Sequence, residues 1–272
     1  MFVKREAHNT MGIHPTAIVD PTAELGEGVE VGPFSIIEKD VRIGAGTTIA
    51  AHCFIGSGTT LGRENRLFNS AQIGILPQDL KHLRGVYGKT IIGDKNDFRE
   101  FVTVSSGTVY ATDTEEKITK IGSGGLYMAC THIAHDCIVG DGVIMANNAA
   151  LAGHVTVQDR VTIGGLTGVH QFCVLGKMSF IGGMTRVNKD TLPFMIIEGA
   201  PARCHGPNTI GLERSGFTKE AIKRIRDIYK LLYRAGLNTT QALERIEAEI
   251  EASPERELLV NFVRASERGI SK

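Results

Sequence analysis

The sequence predicts a mainly β protein, a parallel β-helix of hexapeptide repeats followed by a small α-helical C-terminal domain. Three observations lead there. From Ile121 to Leu192 the chain divides into twelve consecutive sixes, each opening on an apolar residue: Ile121, Tyr127, Ile133, Val139, Met145, Leu151, Val157, Ile163, Val169, Leu175, Ile181 and Val187. From Ile13 to Gln78 eleven further sixes each open on Ile, Leu or Val. Thirty-two glycines in a chain that is 42% apolar suit a coil that turns a corner every few residues. With roughly a quarter of residues aliphatic in an average chain, such a run is very improbable by chance. A strict period of six marks a hexapeptide-repeat solenoid.

Taken in order, residues 1–12 are an expected lead-in with no periodicity. Residues 13–200 are expected to form the coil. Six residues make one short strand and its corner, so three sixes close one triangular turn. Turns then stack about 4.8 Å apart with the leading aliphatics inside. The frame breaks at 79–91 (DLKHLRGVYGKTI), resumes at Ile92, Phe98 and Val104, and breaks again at 110–120 (YATDTEEKITK). Long loops in compact domains usually carry function, so both breaks are candidate substrate loops. Residues 201–272 are expected to be largely helical. Thr218 caps a helix that stops at Gly236, a second helix is expected over 240–252, and a third starts at Ser253 with Pro254 in its first turn. These helices would cap the open end of the coil or pack on a neighbouring chain.

Composition excludes several classes. Lys plus Arg equals Asp plus Glu at 30 each, so no global basic field points to nucleic acid. No apolar run approaches the roughly 20 residues of a membrane span, and MFVKREAHNTMG lacks the apolar segment of a secretory signal. Five cysteines, odd in number and without a C-x-x-C pair, imply reduced thiols and a cytoplasmic location. Those within the repeats are expected to be small buried side chains.

On a solenoid, residues one full turn apart form columns on a face. His135, Gly153 and Gln171 form one, and Asp136 and His154 form the next. The frame therefore predicts an outward-facing patch of His135, Asp136, His154 and Gln171, with His132 just before the corner. Gly153 would leave space for a ligand or an exposed backbone N–H. A histidine beside a carboxylate suits general-base chemistry near neutral pH. With no Ser or Cys nucleophile in the patch, direct transfer is favoured over a covalent enzyme intermediate.

The segments QDLK (78–81), HIAHDC (132–137), NNA-LAGHV (147–155), GVHQFC (168–173) and GLERSGF (211–217) carry a resemblance over nearly the whole chain. The chain resembles the bacterial UDP-N-acetylglucosamine O-acyltransferases. That resemblance implies a left-handed coil, a homotrimer with sites between chains, and transfer of an (R)-3-hydroxyacyl group from acyl carrier protein to the sugar 3-position of UDP-GlcNAc. This is the first step of lipid A synthesis. No cofactor or metal is implied beyond the carrier-protein thioester as donor. By the same resemblance His135 is the base, Asp136 orients it, and the Gly153 N–H stabilises the oxyanion. Gln78 and Asp79 hold the sugar with Lys81 nearby, and His132, His154 and Gln171 contact acceptor or donor. Gly183 leaves the acyl groove open, and Arg214 contacts phosphate or carrier.

Two positions depart from the family's pattern. Ser105 stands where a histidine is usual, which leaves transfer to the 3-amino analogue, giving an amide, as an alternative. Ser215 replaces the second residue of a basic pair, which weakens the expected grip on the carrier. A zinc-dependent hydratase using His132, His135 and His154, a CoA-dependent acetyltransferase and a non-catalytic scaffold also remain open at this stage.

Overall fold

A computed structural model describes residues 12–112 and 117–272. Short parallel strands, most of two residues, stack into three sheets of nine, eight and ten strands among these residues. Every third strand belongs to the same sheet, so the chain winds around a three-sided prism. Pairing follows the turn of three sixes, as in Ile18↔Ile36, Ile133↔Leu151 and Val169↔Val187.

The two frame breaks leave this stacking intact. Across the first, Ile73 pairs with Val104, a plain turn lengthened by the whole of segment 79–91. Across the second, Val104 pairs with Ile133, a plain turn lengthened by the whole of segment 110–120. Each excursion leaves and rejoins the coil in frame, the first with a bulge between Ile73 and Ile75. Both are shorter than expected, however. Lys89–Ile92 and Ile118–Ile121 are paired strands, and Thr90 and Thr119, two places before the leading Ile92 and Ile121, are buried with them.

The leading side chains fill the prism, and Ile37, Ile55, Ile73, Val104, Ile133 and Leu151 are all buried in one column. Burying each such side chain contributes about 1.5–3 kcal/mol, which explains why the six-residue frame is kept so strictly. At the first described turn Ile13 remains half-exposed.

The opposite end is closed by an antiparallel pair and helices. Arg203–Pro207 returns along Met195–Glu198, so the sheet extends past residue 200. Helix α1 (Thr209–Arg214), capped by Asn208, adds to the expected elements, because a helix so short carries too little periodicity to read. Helices α2 (Lys219–Tyr233), α3 (Thr239–Glu249) and α4 (Pro254–Ala265) follow, capped by Thr218, Asn238 and Ser253. Helix α3 stops short of 252 because Ile250 turns extended and Ser253 opens the next helix. Ile225, Ile228, Leu232, Ile246 and Leu259 extend the solenoid's core into this region. No described helix is long and apolar enough to cross a membrane. Of the lead-in 1–12 only Gly12 is described, and residues 113–116 of the second break lie outside the described residues.

Candidate active site

The coil turns its corners with one residue per six in the left-handed backbone region. Asp136, His154 and Phe172 occupy it on successive turns, with φ of 60°, 61° and 65°. Asp and His tolerate this region better than most side chains. The strand His132–Ile133 enters this corner and sets His135 and Asp136 on it.

His135 Nδ1 lies 2.9 Å from Asp136 Oδ2. A carboxylate only accepts, so Nδ1 carries a proton, and in the neutral ring the lone pair is on Nε2. The Thr108 amide donates to Asp136 Oδ1 at 2.9 Å and its hydroxyl to Oδ2 at 2.8 Å. Burial works to raise the Asp136 pKa, but the bonds from His135 and Thr108 and the charge of His154 outweigh it, so the carboxyl sits below its usual value. His154 Nε2 is 3.5 Å from the same Oδ2, and its ring packs edge-on to His135 and stacks on Phe172 at 4.7 Å. Desolvation holds His132 and His154 below the ordinary imidazole value, which favours their neutral forms.

The two loops fold over this corner. Asp79 Oδ2 is 3.9 Å from His135 Nε2 and accepts from the Tyr110 hydroxyl at 2.8 Å. The Lys81 amide bonds Asp79 Oδ1 at 2.7 Å and, with Tyr110, holds that carboxyl below its usual pKa, so it stays ionised. Buried His82 joins the loops, accepting from the Val109 amide at Nδ1 and donating from Nε2 to the Val86 carbonyl. The His135 and Asp136 side chains are consequently only 13% and 6% exposed, where the column spacing predicts an open patch.

Gly153 has a further reason beside the expected one. A Cβ there would meet His135 Cε1 at 2.4 Å and Nε2 at 2.7 Å. The missing side chain makes room for the His135 ring itself. Among the described residues the Gly153 N–H has no hydrogen-bond acceptor.

Beside His135 a cavity of about 520 Å³ runs across five adjacent strands of one sheet, from Gln78 and Ser105 to Arg186. Ala134, Ala150, Ala152, Gly153 and Gly168 line its middle, and His132 and His170 face it. Five strands at their usual spacing span about 19 Å, enough for an extended chain over a floor of small residues. Ser105 is buried in the cavity wall and its hydroxyl has no partner among the described residues.

Comparisons with known proteins give the chain's family and fold. Residues 190–271 match the family model described as UDP N-acetylglucosamine O-acyltransferase, domain 2, and residues 22–57 match the bacterial transferase hexapeptide model. Among curated proteins, the acyl-[acyl-carrier-protein]--UDP-N-acetylglucosamine O-acyltransferases of Anaeromyxobacter dehalogenans and Thiobacillus denitrificans are 45% and 46% identical. The matches cover 96% and 95% of this chain and 100% and 98% of theirs. The chain belongs to the UDP-N-acetylglucosamine O-acyltransferase family. Among solved structures, LpxA from Acinetobacter baumannii superimposes with a TM-score of 0.90 at 42% identity, covering 96% of this chain and 99% of that one. The Moraxella catarrhalis UDP-N-acetylglucosamine O-acyltransferase also gives 0.90, at 39% identity and the same coverages. The coil is thus the left-handed β-helix of these acyltransferases.

Four residues marked by the resemblance to the acyltransferase family stand away from the single-chain cavity. Gln171 is exposed, and its neighbour His170 lines the cavity instead. Gly183 lies on the next corner of the prism, stacked over Gly165. Arg214 is exposed at the end of α1, and Lys81 reaches the site through its amide, with its side chain outside.

His135, Asp136 and His154 are the described residues that could hold a metal, with ligand atoms within 4.8 Å of one another. Tetrahedral zinc at about 2.1 Å wants ligands about 3.4 Å apart, and Asp136 Oδ2 is already taken by His135 and Thr108. His132 is not in the set; its Nδ1 bonds the Thr103 hydroxyl at 2.8 Å. The residues fit hydrogen bonding better than coordination.

The thiols supply no nucleophile. Cys137, next to Asp136, is buried and its pKa is pushed up to about 12, and Cys173 to about 11. Cys130, expected to be a buried filler, is exposed at a left-handed corner.

Proposed function

We propose that the chain moves an (R)-3-hydroxyacyl group from acyl carrier protein to the 3-hydroxyl of UDP-GlcNAc, the first step of lipid A synthesis, by direct transfer in the cytoplasm without a cofactor. The observation that carries the mechanism is His135, with Nδ1 bonded to Asp136 and Nε2 free. Nε2 removes the hydroxyl proton as that oxygen attacks the thioester carbonyl. The Gly153 N–H, free of other acceptors, meets the oxyanion; one such donor is commonly worth about 2.7–4 kcal/mol. Collapse expels the carrier thiolate, which takes the proton back from His135, leaving an ester and a free thiol.

Asp79 and Gln78 face the acceptor side, and the line of small residues toward Arg186 takes the extended acyl-pantetheine. Exposed Leu166, Phe172 and Met184 are large apolar corner residues beside Gly183 and Gln171. Burying them against neighbouring chains would complete a homotrimer and bring Gln171, Gly183 and Arg214 into the clefts.

The test is a matrix of 3-hydroxyacyl carrier proteins of graded length, and acyl-CoA, against UDP-GlcNAc and its 3-amino analogue, with and without chelator. Chelator-resistant transfer from carrier protein to the hydroxyl sugar supports the proposal. Transfer from CoA only, or activity lost to chelator, overturns it.

A further inference from the structure

The segment 108–110, which ends the six opening at Val104 and begins the second break, touches both carboxylates around His135. Thr108 donates twice to Asp136, and Tyr110 donates to Asp79. Between them Val109 is bonded to both Leu83 and His82 of the first loop, at 2.9 and 3.0 Å. The Lys117 ammonium sits 4.1 Å from the centre of the Tyr110 ring. Thr108 is buried, so its two bonds are shielded from water.

Each bond has a consequence for geometry. Asp136 Oδ2 has two imidazoles within reach, His135 at 2.9 Å and His154 at 3.5 Å. The amide and hydroxyl of Thr108 pin both carboxylate oxygens at once, which sets the plane of the carboxylate and keeps Oδ2 on His135. On the other side, the 3.9 Å between Asp79 Oδ2 and His135 Nε2 is too long for a direct hydrogen bond. Both atoms accept, so a substrate hydroxyl gives its one hydrogen to Nε2 while Asp79 is left for another donor of the sugar. Tyr110, bonded to Asp79 Oδ2, fixes where that carboxylate stands.

We propose that Thr108 and Tyr110 are positioning residues for the transfer, Thr108 by committing Asp136 to His135 and Tyr110 by orienting Asp79 toward the acceptor. The inference rests on the acyl-transfer reading above. It assigns Thr108 to the chemical step and Tyr110 to acceptor binding, so their variants fail differently.

The experiment is steady-state transfer by the full-length protein, varying carrier thioester and UDP-GlcNAc separately, for Thr108→Val, Thr108→Ser and Tyr110→Phe. Thr108→Val is expected to lower kcat about 10- to 100-fold, with both KM values within about two-fold, since the base is misplaced while binding is kept. Thr108→Ser keeps the amide and hydroxyl donors and should recover most of that loss. Tyr110→Phe releases Asp79 Oδ2 from its donor and should raise the acceptor KM about 3- to 10-fold, with kcat little changed. Thr108→Ser as poor as Thr108→Val, or a wild-type kcat in folded Thr108→Val, would overturn the Thr108 role. An unchanged acceptor KM in Tyr110→Phe would overturn the Tyr110 role, and it can be read even if Thr108→Val does not fold. A wild-type protein inactive with every donor overturns the acyl-transfer reading itself, and the positioning roles with it.

Discussion

The His135 ring lies against the backbone of Gly153, close enough that a Cβ there would come within 2.4 Å of Cε1. The base and the proposed oxyanion donor are therefore set by one contact, and the residue one turn after the histidine must be the smallest one.

Gly153→Ala should push the ring away from Asp136 while the coil stays folded, because the substitution faces the site and not the packed interior. A displacement near 1 Å can cost about 100-fold in rate. Steady-state kinetics beside circular dichroism checks this, and an alanine variant with wild-type kcat would show that the ring does not need this seat.

Ser105 gives two effects of opposite sign. Its buried hydroxyl has no partner among the described residues and lines the cavity. If it meets the acceptor, Ser105→Ala lowers kcat/KM for UDP-GlcNAc by about two- to ten-fold, the worth of one neutral hydrogen bond. Stability of the free protein should hold or rise, since an unmade bond is being removed. Comparing the variant on the hydroxyl and 3-amino sugars shows whether Ser105 discriminates between them. An unstable variant with unchanged kinetics would assign the hydroxyl a structural partner.

The histidines set a pH dependence. Desolvation first, and His135 second, hold folded His132 below the ordinary imidazole value of 6.5. The unfolded chain thus binds the proton more readily, so stability is fully present above pH 6.5 and is lost as pH falls through the interval down to the folded pKa. Melting temperatures between pH 5 and pH 7.5 (a span chosen around the ordinary imidazole value of about 6.5) should fall toward acid for the wild type. His132→Gln should flatten the decline without abolishing it, because His154 is shifted in the same direction. Parallel curves would contradict the assignment.

Tyr127 is the aromatic among otherwise aliphatic or thioether leaders of the long run, fully buried, stacked on Phe98 at 4.9 Å, with its hydroxyl unpartnered among the described residues. Tyr127→Phe keeps the stack and removes the buried polar atom, so thermal unfolding should show a gain of about 1 kcal/mol. A loss of that size would mean that the hydroxyl is bonded in solution.

Much of this is legible in one dimension because a solenoid is nearly one-dimensional. A period of six specifies which residues are interior, and three such periods specify which are neighbours, so His135, Gly153, Asp136 and His154 can be brought together from spacing alone. What the period cannot show is contact made by chain that leaves it. Tyr110 and His82 have no column and Thr108 ends the last six before a break, so their bonds to Asp79, Val109 and Asp136 arise only where the excursions meet in space. Thr90 and Thr119 escape notice as strand residues because the frame registers leading aliphatics and passes over a buried threonine two places earlier. His170 was within reach: it stands one full turn after Ala152 and two after Ala134, in a column that lines the cavity.

The central claim is that His135 is the base of a direct acyl transfer, and the most direct measurement is kcat/KM for 3-hydroxyacyl carrier protein and UDP-GlcNAc in wild type and His135→Ala. A loss of about 100- to 10,000-fold in a variant with the wild-type melting temperature is the predicted result. Transfer within about threefold of wild type, well short of any general-base contribution, would contradict the claim and move the chemistry elsewhere in the cavity.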